Sequence, residues 1–120
     1  MIIAVSAKGK TLDSEIDPRF GRASGFLIIQ TDTMSFEWVD NNQNLNLPQG
    51  AGIQAAQNVS RHKAQVVLTG NCGPKAFKTL SAAKIQVITG ITGTVDQAAK
   101  DFMDGKLKVS EEANVEGHWM

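Results

Sequence analysis

The chain has 120 residues, 42% of them hydrophobic, and its 12 Lys and Arg residues balance its 12 Asp and Glu residues. This length is enough for one compact domain and short for two. A formal net charge of zero argues against attraction of the whole surface to nucleic acid or anionic lipid, although it leaves a local basic patch open.

The first half of the chain contains three predicted strands. Residues 2–6 (IIAVS) are a β-branched run without alternation, which is typical of a strand buried on both faces. A charged loop covers residues 8–25, where Pro18 and two glycines argue against a helix. Residues 26–32 (FLIIQTD) and 35–41 (SFEWVDN) predict a hairpin, and alternation in its second strand places that strand nearer the sheet edge.

The second half alternates helices with strands. Apolar residues recur at helical spacing from Ile53 to Val59, and the cations at 61–63 suit the end of that helix. Two similar segments follow, AQVVLTGNCGP (64–74) and KIQVITGITGT (84–94), and each predicts a strand, a glycine-containing turn and the start of a helix.

These last two helices have predicted start and stop signals. Pro74 suits the first position of one helix, whose inward side chains are predicted to be Phe77, Leu80 and Ala83. The other is predicted to start with a capping box between Thr94 and Gln97 and to end at Gly105. Its predicted inward side chains are Val95, Ala98, Ala99 and Phe102.

The order β-β-β-α-β-α-β-α predicts an α/β fold, a three-layer α/β/α sandwich on a mixed five-stranded sheet. Tight loops make the first three strands antiparallel, and helical crossovers make the last two parallel to the first. The first strand then lies in the middle, and a topological switch point falls between it and the fourth strand. The crevice there should be faced by the loop at 7–25, the turn around Cys72 and the turn at 90–93.

The stretch TGNCGPKAF (69–77) contains the only cysteine, Cys72, and its chemistry has four interpretations. Cys72 is a small structural filler, or the turn binds phosphate through amides at a helix start. Phosphate binding is weakly supported because the chain has neither GxxxxGK[ST] nor GxGxxG. Nucleophilic catalysis needs a base, and neither His62, at a helix end, nor His118, in the tail, is well placed.

The fourth interpretation is the binding of an anionic, sulfur-rich cluster. A thiol at a helix start, near Arg19, Arg22 and Lys75, combines charge complementarity with a soft ligand. One cysteine cannot hold an ordinary iron–sulfur cluster, which takes about four protein ligands. It can help to hold a preassembled cluster that brings its own sulfides, with arginines and backbone amides providing the other contacts. Solvated arginines are the competing explanation.

The motifs together resemble a known family. IIAVSAKG, FGRASGFLII, DNNQN, GAGIQAAQ, VVLTGNCGPKAF and GTVDQAAKDFMDGKL occur in the order seen in the dinitrogenase iron–molybdenum cofactor-binding family. The resemblance covers residues 1–109 and implies a ribonuclease-H-like fold, which agrees with the topology above. Residues 110–120 are expected to form a partly mobile tail.

The resemblance implies a carrier of a preassembled molybdenum-containing metal–sulfur cluster, without catalytic turnover. The implied ligand is a molybdenum–copper sulfide cluster, or alternatively an iron–molybdenum or iron–sulfur cluster, exchanged with a protein donor or recipient. Cys72 is the candidate metal ligand. The full set of candidate cluster-binding residues is Arg19, Phe20, Gly21, Arg22, Gln49, Gly50, Gly52, Gly70, Asn71, Cys72, Gly73, Pro74 and Lys75.

Two positions depart from the family pattern. Arg19 precedes Phe-Gly-Arg and Gln49 precedes Gly-Ala-Gly, where family members often have histidine. Losing both imidazoles disfavours direct iron coordination, and an arginine favours binding by charge. The alternative is a regulatory or interaction module with a vestigial cluster site.

The cysteine content, the first residues and the lengths of the apolar runs indicate the cellular compartment. The single cysteine fits a reducing compartment, and the first residues lack the basic leader of a signal peptide. Every apolar run is far shorter than the about 20 residues of a membrane span. We expect a cytoplasmic protein that binds neither nucleic acid nor membrane.

Overall fold

The computed structural model describes residues 1–44, 47 and 49–114, and the predicted order of elements is confirmed. A single turn of 3-10 helix, Asn42–Asn44, precedes the first α-helix. None of the helices in the described ranges is long and apolar enough to cross a membrane. The strands and helices are β1 Ile2–Ala7, β2 Gly25–Gln30, β3 Ser35–Asp40, α1 Ala51–Arg61, β4 Val66–Leu68, α2 Pro74–Ala82, β5 Gln86–Ile88 and α3 Val95–Met103.

The five strands form one sheet in the order β3-β2-β1-β4-β5, with β1 central as predicted. Pairing of β1 with β2 and of β2 with β3 is antiparallel, because short loops join them. Pairing of β1 with β4 and of β4 with β5 is parallel, because helices connect them. The register Ala7–Gly25–Asp40 places the ends of β1 and β3 at the same edge of the sheet.

A hydrophobic core lies on each face of the sheet, which confirms the three-layer architecture. On one face, α1 and α2 bury Val59 and Leu80 against a cluster that includes Phe26. On the other face, α3 buries Val95 against a cluster that includes Leu27. Side chains of β1 alternate between these two clusters, so this strand is buried on both sides as its β-branched run predicted.

The predicted capping box at the start of α3 is wrong. The Thr94 hydroxyl donates to the Asp96 carboxylate at 2.6 Å and makes no hydrogen bond to the helix backbone. This hydrogen bond is the main reason that the pKa of Asp96 is lowered. The first two amides of α3 instead donate to the carbonyls of Ser14 and Leu12, at 2.9 and 2.8 Å. The charged loop thus does what the threonine side chain was expected to do.

The inward-facing residues of α2 also differ in part from the prediction. Leu80 is fully buried, but Phe77 is only half-buried and Ala83 is exposed. The helix ends at Ala82, and the next residues turn through Lys84, which has a φ of 61°. Ala83 therefore follows the turn outward, and Ala76 occupies the core position nearer the helix start.

Truncation of Leu80 tests how much this core contributes to the free energy of unfolding. Leu80→Ala removes a fully buried side chain between α2 and the sheet, and we expect a loss of about 2–5 kcal/mol in the free energy of unfolding. Urea denaturation followed by far-UV circular dichroism measures it. Met103→Ala, at an exposed position of α3, is the matched control and should change stability by less than about 0.5 kcal/mol. Similar losses in both variants would contradict the packing described.

Candidate functional site

Three segments meet at the sheet edge where β1 and β3 end. They are residues 17–23 of the charged loop, residues 49–53 at the start of α1 and residues 70–75 at the start of α2. We call this meeting point the junction. The turn at 90–93 lies along the same edge, where the Gly90 amide donates to the Gly70 carbonyl at 2.8 Å. The segments predicted to face the crevice are therefore neighbours.

Two close backbone contacts set the geometry of the junction. A Cβ on Gly21 would lie 2.8 Å from both the Cα and the N atom of Gly52. A Cβ on Gly70 would lie 2.8 Å from the Cα and the carbonyl oxygen of Pro18. Only glycine permits these approaches, so the loop packs directly on the first turn of α1 and on the turn before α2.

Asn71 fastens the loop to the turn before α2. Its side-chain amide donates to the Pro18 carbonyl at 2.9 Å, and its own carbonyl accepts from the Phe20 amide at 3.1 Å. Arg19 and Asn71 form an isolated parallel bridge. The Phe20 ring is fully buried beneath this bridge, with its centroid 5.2 Å from that of Phe26.

Two buried side chains hold the shape of the loop itself. The Asp17 carboxylate accepts from the amides of Arg19 and Ser24, both at 3.2 Å. The Asn41 amide donates to the carbonyls of Gly21 and Ala23, at 3.0 and 2.9 Å. Asp before Pro is a turn signal, but no sequence pattern marks either side chain as a hydrogen-bond partner of the loop backbone.

The starts of α1 and α2 are each preceded by a glycine, which has no side chain to cap the helix. In neither helix does a side chain cap the first turn. Gly50 precedes α1 with a φ of 81°, and Gly73 precedes α2 in an extended conformation, followed by Pro74 at the first helical position. First-turn amides have no partner within their own helix and carry the positive end of the helix dipole. These two helix starts thus suit an anion, whereas the start of α3 is satisfied by loop carbonyls.

Cationic side chains flank these amides. Arg19 and Lys75 are exposed, and within the described ranges neither forms an ion pair. Arg22 is half-buried and donates from Nη2 to the Leu47 carbonyl at 2.9 Å, which ties the loop to the segment before α1. Gln49 is exposed. Arg19 and Lys75 are therefore the side chains that offer free positive charge at the junction.

The Cys72 thiol lies in the hydrophobic core and not at the surface. Its residue is fully buried, and Sγ donates to the Gly73 carbonyl at 3.7 Å. Burial raises the pKa of Cys72 to about 12, so the group is a neutral thiol at neutral pH. Metal coordination by Cys72 remains a prediction, and it requires the turn to open.

Residues of the tail close over the turn that contains Cys72. The Asn114 side chain accepts from the Cys72 amide at 2.8 Å and donates to the Asn71 side chain at 3.1 Å. The Asn114 amide donates to the Cys72 carbonyl at 3.2 Å, and the Ser110 amide donates to the Val87 carbonyl at 2.7 Å. Residues 110–114 are thus docked, which gives no support to the expected mobility over that span, and residues 115–120 lie outside the described ranges.

Direct coordination of a bare metal ion does not fit the donors found among the described residues. No group of three or more His, Cys, Asp or Glu side chains in the described part of the chain is arranged to hold a metal ion. His62 lies at the far end of α1, where Nδ1 contacts the Asn58 carbonyl at 2.8 Å. The junction instead combines amides with positive charge, which fits an anion that carries its own ligands.

The chain is similar to known proteins over most of its length. Residues 1–105 match the family model described as dinitrogenase iron-molybdenum cofactor. The apo form of the orange protein from Desulfovibrio gigas has a similar structure, with a TM-score of 0.93 and 46% identity over 95% of this chain and 96% of that chain. A NifB-like protein from Thermotoga has a TM-score of 0.82 and 31% identity over 97% of this chain and 98% of its own. An uncharacterized protein of Methanocaldococcus jannaschii is 26% identical over 82% of this chain and 86% of its own length.

The burial of Cys72 predicts slow thiol chemistry and alkaline destabilisation. A pKa raised from 9.0 to about 12 on folding adds stability that is complete below pH 9 and is lost as the pH rises towards 12. We expect the free energy of unfolding in urea to fall over this range, and to fall less in Cys72→Ala.

Labelling by Ellman's reagent at pH 8 should be slow in buffer and fast in urea. Equal labelling rates in both conditions would contradict the buried thiol.

The contact of Asn114 predicts protection of the Cys72 amide. Asn114→Ala removes the acceptor of that amide, and we expect its hydrogen exchange, followed by NMR, to become about three- to tenfold faster. Glu112→Ala, at an exposed position in the same segment, is the control and should leave exchange unchanged. Unchanged exchange in Asn114→Ala would show that the tail is not docked on this turn.

Proposed function

This chain belongs to the dinitrogenase iron–molybdenum cofactor family, and we propose that it binds and carries a preassembled, negatively charged metal–sulfur cluster that contains molybdenum. One observation carries the proposal. The starts of α1 and α2 have no side-chain cap, and both lie against one loop that presents Arg19, with Lys75 at the start of α2. Such an arrangement attracts an anion without forming bonds to a metal.

The donor set is the reason that the cargo is a finished cluster. A protein that assembles a cluster from free ions needs several thiolate or imidazole ligands. The described residues include no such group, and the Cys72 thiol is buried and protonated. A cluster that brings its own sulfides needs only charge neutralisation and amide contacts, which the junction supplies.

The proposed metal content is molybdenum and copper bridged by sulfide, with an iron–molybdenum or iron–sulfur cluster as the alternative. The match to the iron–molybdenum cofactor family supports molybdenum. The likeness to the orange protein, whose structure is of an apo form, supports a small carrier that takes up and releases its ligand. Arg19 and Gln49 occupy positions where the family resemblance implies that histidine is frequent. Their lack of imidazole favours an anionic thiomolybdate-type cluster held by charge over one bonded through imidazole.

Seven of the candidate residues have a proposed contribution to this binding. Arg19 and Lys75 neutralise charge, and Arg22 holds the segment before α1 in place. Gly21 and Gly70 permit the close packing that brings the three segments together. Gly50 and Gly73 open the helix starts. Cargo would pass from a protein donor to a protein recipient, and the chain itself would perform no catalytic turnover in the cytoplasm.

Uptake of a defined cluster precursor tests the proposal. Protein incubated anaerobically with tetrathiomolybdate and cuprous ion, then desalted, should retain molybdenum and copper and show sulfur-to-metal charge-transfer bands. Arg19→Ala combined with Lys75→Ala should weaken binding by about tenfold or more, because each lost charge-assisted contact contributes about 1 kcal/mol or more. Added salt should weaken binding further.

Matched variants separate charge from coordination. Lys10→Ala with Lys106→Ala removes two exposed cations elsewhere and should leave uptake unchanged. Cys72→Ser should have a smaller effect than the loss of Arg19 and Lys75; the reverse order would contradict binding by charge. A second mixture, of ferrous ion, molybdate and sulfide, tests the alternative cluster. Protein that retains iron and molybdenum from this mixture, but no copper from the cuprous mixture, would replace the copper cluster by the iron–molybdenum alternative. Wild-type protein that retains no metal would favour the interaction module.

A further inference from the structure

The balanced charge of the chain conceals a strong segregation along the sequence. Residues 41–94 contain five of the 12 Lys and Arg residues and none of the 12 Asp and Glu residues. All of the acidic residues lie at positions 13–40 or 96–116. This pattern divides the charges between different layers of the fold, because α1 and α2 cover one face of the sheet and α3 covers the other.

The structure gathers the basic residues onto the layer formed by α1 and α2. Arg61, Lys63, Lys78 and Lys84 are all exposed there, and we call these four residues the basic face. A groove of about 580 Å³ runs between the two helices, with Arg61 in its wall. The other groove residues are small or polar, namely Ala56, Gln57, Ser60, Thr79, Ala82 and Ala83. Lys75 at the start of α2 connects this face to the junction.

Helix stabilisation does not explain the cations of α2. Lys75 is the second of the nine residues of this helix and Lys78 is the central one. The last turn has no basic residue and the first turn has no acidic one. This placement opposes the helix dipole, which favours acids at the start and bases at the end. By contrast, α3 follows the favourable rule, with Asp96 in its first turn and Lys100 in its last. Binding of an external anion would explain the position of these cations, whereas stabilisation of the helix does not.

Within the described part of the chain, the cations of the basic face also have no acidic partner. The ion pairs found among the described residues join the N-terminus with Asp32 and Lys8 with Glu15, both outside this face. Arg61 donates to the Asn58 side chain at 2.9 Å, which leaves its charge uncompensated. The face therefore presents its positive charge to solvent or to a partner.

We propose that the basic face docks an acidic helix of a partner protein, which lies in the groove between α1 and α2. The small groove residues allow the backbone of a third helix to approach closely, and its carboxylates would meet the four cations of the face. The groove lies along the second halves of α1 and α2, so only a docked helix that extends to Lys75, at the start of α2, would reach the junction. A role for this docking in cargo exchange rests on the proposed function.

Other occupants fit this face less well. A membrane surface favours exposed apolar side chains, and the large ones found exposed in the described ranges, Met1, Phe36, Met103 and Val109, lie outside α1 and α2. Single-stranded nucleic acid favours exposed aromatic rings, and Phe77 on α2 is half-buried against the core. A second copy that placed its acidic α3 layer here would make a head-to-tail contact, which propagates as a filament unless it closes into a ring.

Binding of a metal-free peptide tests this inference separately from cluster binding. The probe is a fluorescein-labelled amphipathic helical peptide with glutamates on one face and alanine and leucine on the other. We expect it to bind the wild-type protein and to perturb amide NMR signals of α1 and α2. Arg61→Glu with Lys78→Glu should lower the affinity at least about tenfold, because two attractive contacts become repulsive. Lys10→Glu with Lys106→Glu, away from the groove, should change it by less than about twofold.

Three outcomes would overturn the proposal. The first is equal binding of a peptide with the same composition in scrambled order, which would reduce the effect to net charge. The second is tighter binding of a DNA duplex or of phosphatidylglycerol vesicles than of the acidic peptide. The third is self-association of the wild-type protein in light scattering that disappears in the Arg61→Glu, Lys78→Glu variant. Circular dichroism of that variant must match the wild type, and Lys78→Gln provides a milder change if it does not.

Discussion

Contact between the backbone of Gly21 and the first turn of α1, at a distance that leaves no space for a side chain, determines how the junction is built. Because of it, the loop that carries Arg19 lies against one helix start, and the matching contact of Gly70 with Pro18 brings in the other. The starts of α1 and α2 then lie at the same junction, with Arg19 on the loop between them and Lys75 at the start of α2. The proposed anion binding depends on this convergence more than on any single side chain.

The buried side chains around the loop stabilise the conformation that brings the two helix starts together. Asp17 and Asn41 use their hydrogen-bonding capacity on backbone groups of the loop, so neither is free to act as a ligand. The Cys72 thiol is likewise withdrawn into the core. Among the described residues, the junction presents the exposed cations Arg19 and Lys75 beside two helix starts without a side-chain cap. This combination supports the proposed binding of a finished anionic cluster over the assembly of one.

The fold could be predicted because its signals are local. The β-branched run of β1, the alternation in β3 and Pro74 at the start of α2 each report on a few neighbouring residues, and together they give the strand order. The contacts that complete the junction could not be predicted, because they join distant parts of the chain. Asn114 lies 42 residues from Cys72, and no sequence pattern connects the two. The prediction of a capping box at the start of α3 was wrong for the same reason, because carbonyls of a distant loop accept the hydrogen bonds expected for a side-chain cap.

The location of bound molybdenum tests the central claim most directly. Crystals of protein loaded with tetrathiomolybdate and cuprous ion, measured at the molybdenum absorption edge, give an anomalous map of the metal. Molybdenum should lie between the first turns of α1 and α2, within reach of Arg19 and Lys75, and contact protein only through sulfide. Molybdenum elsewhere on the molecule, or bonded directly to the Cys72 sulfur or to a histidine nitrogen, would contradict the account.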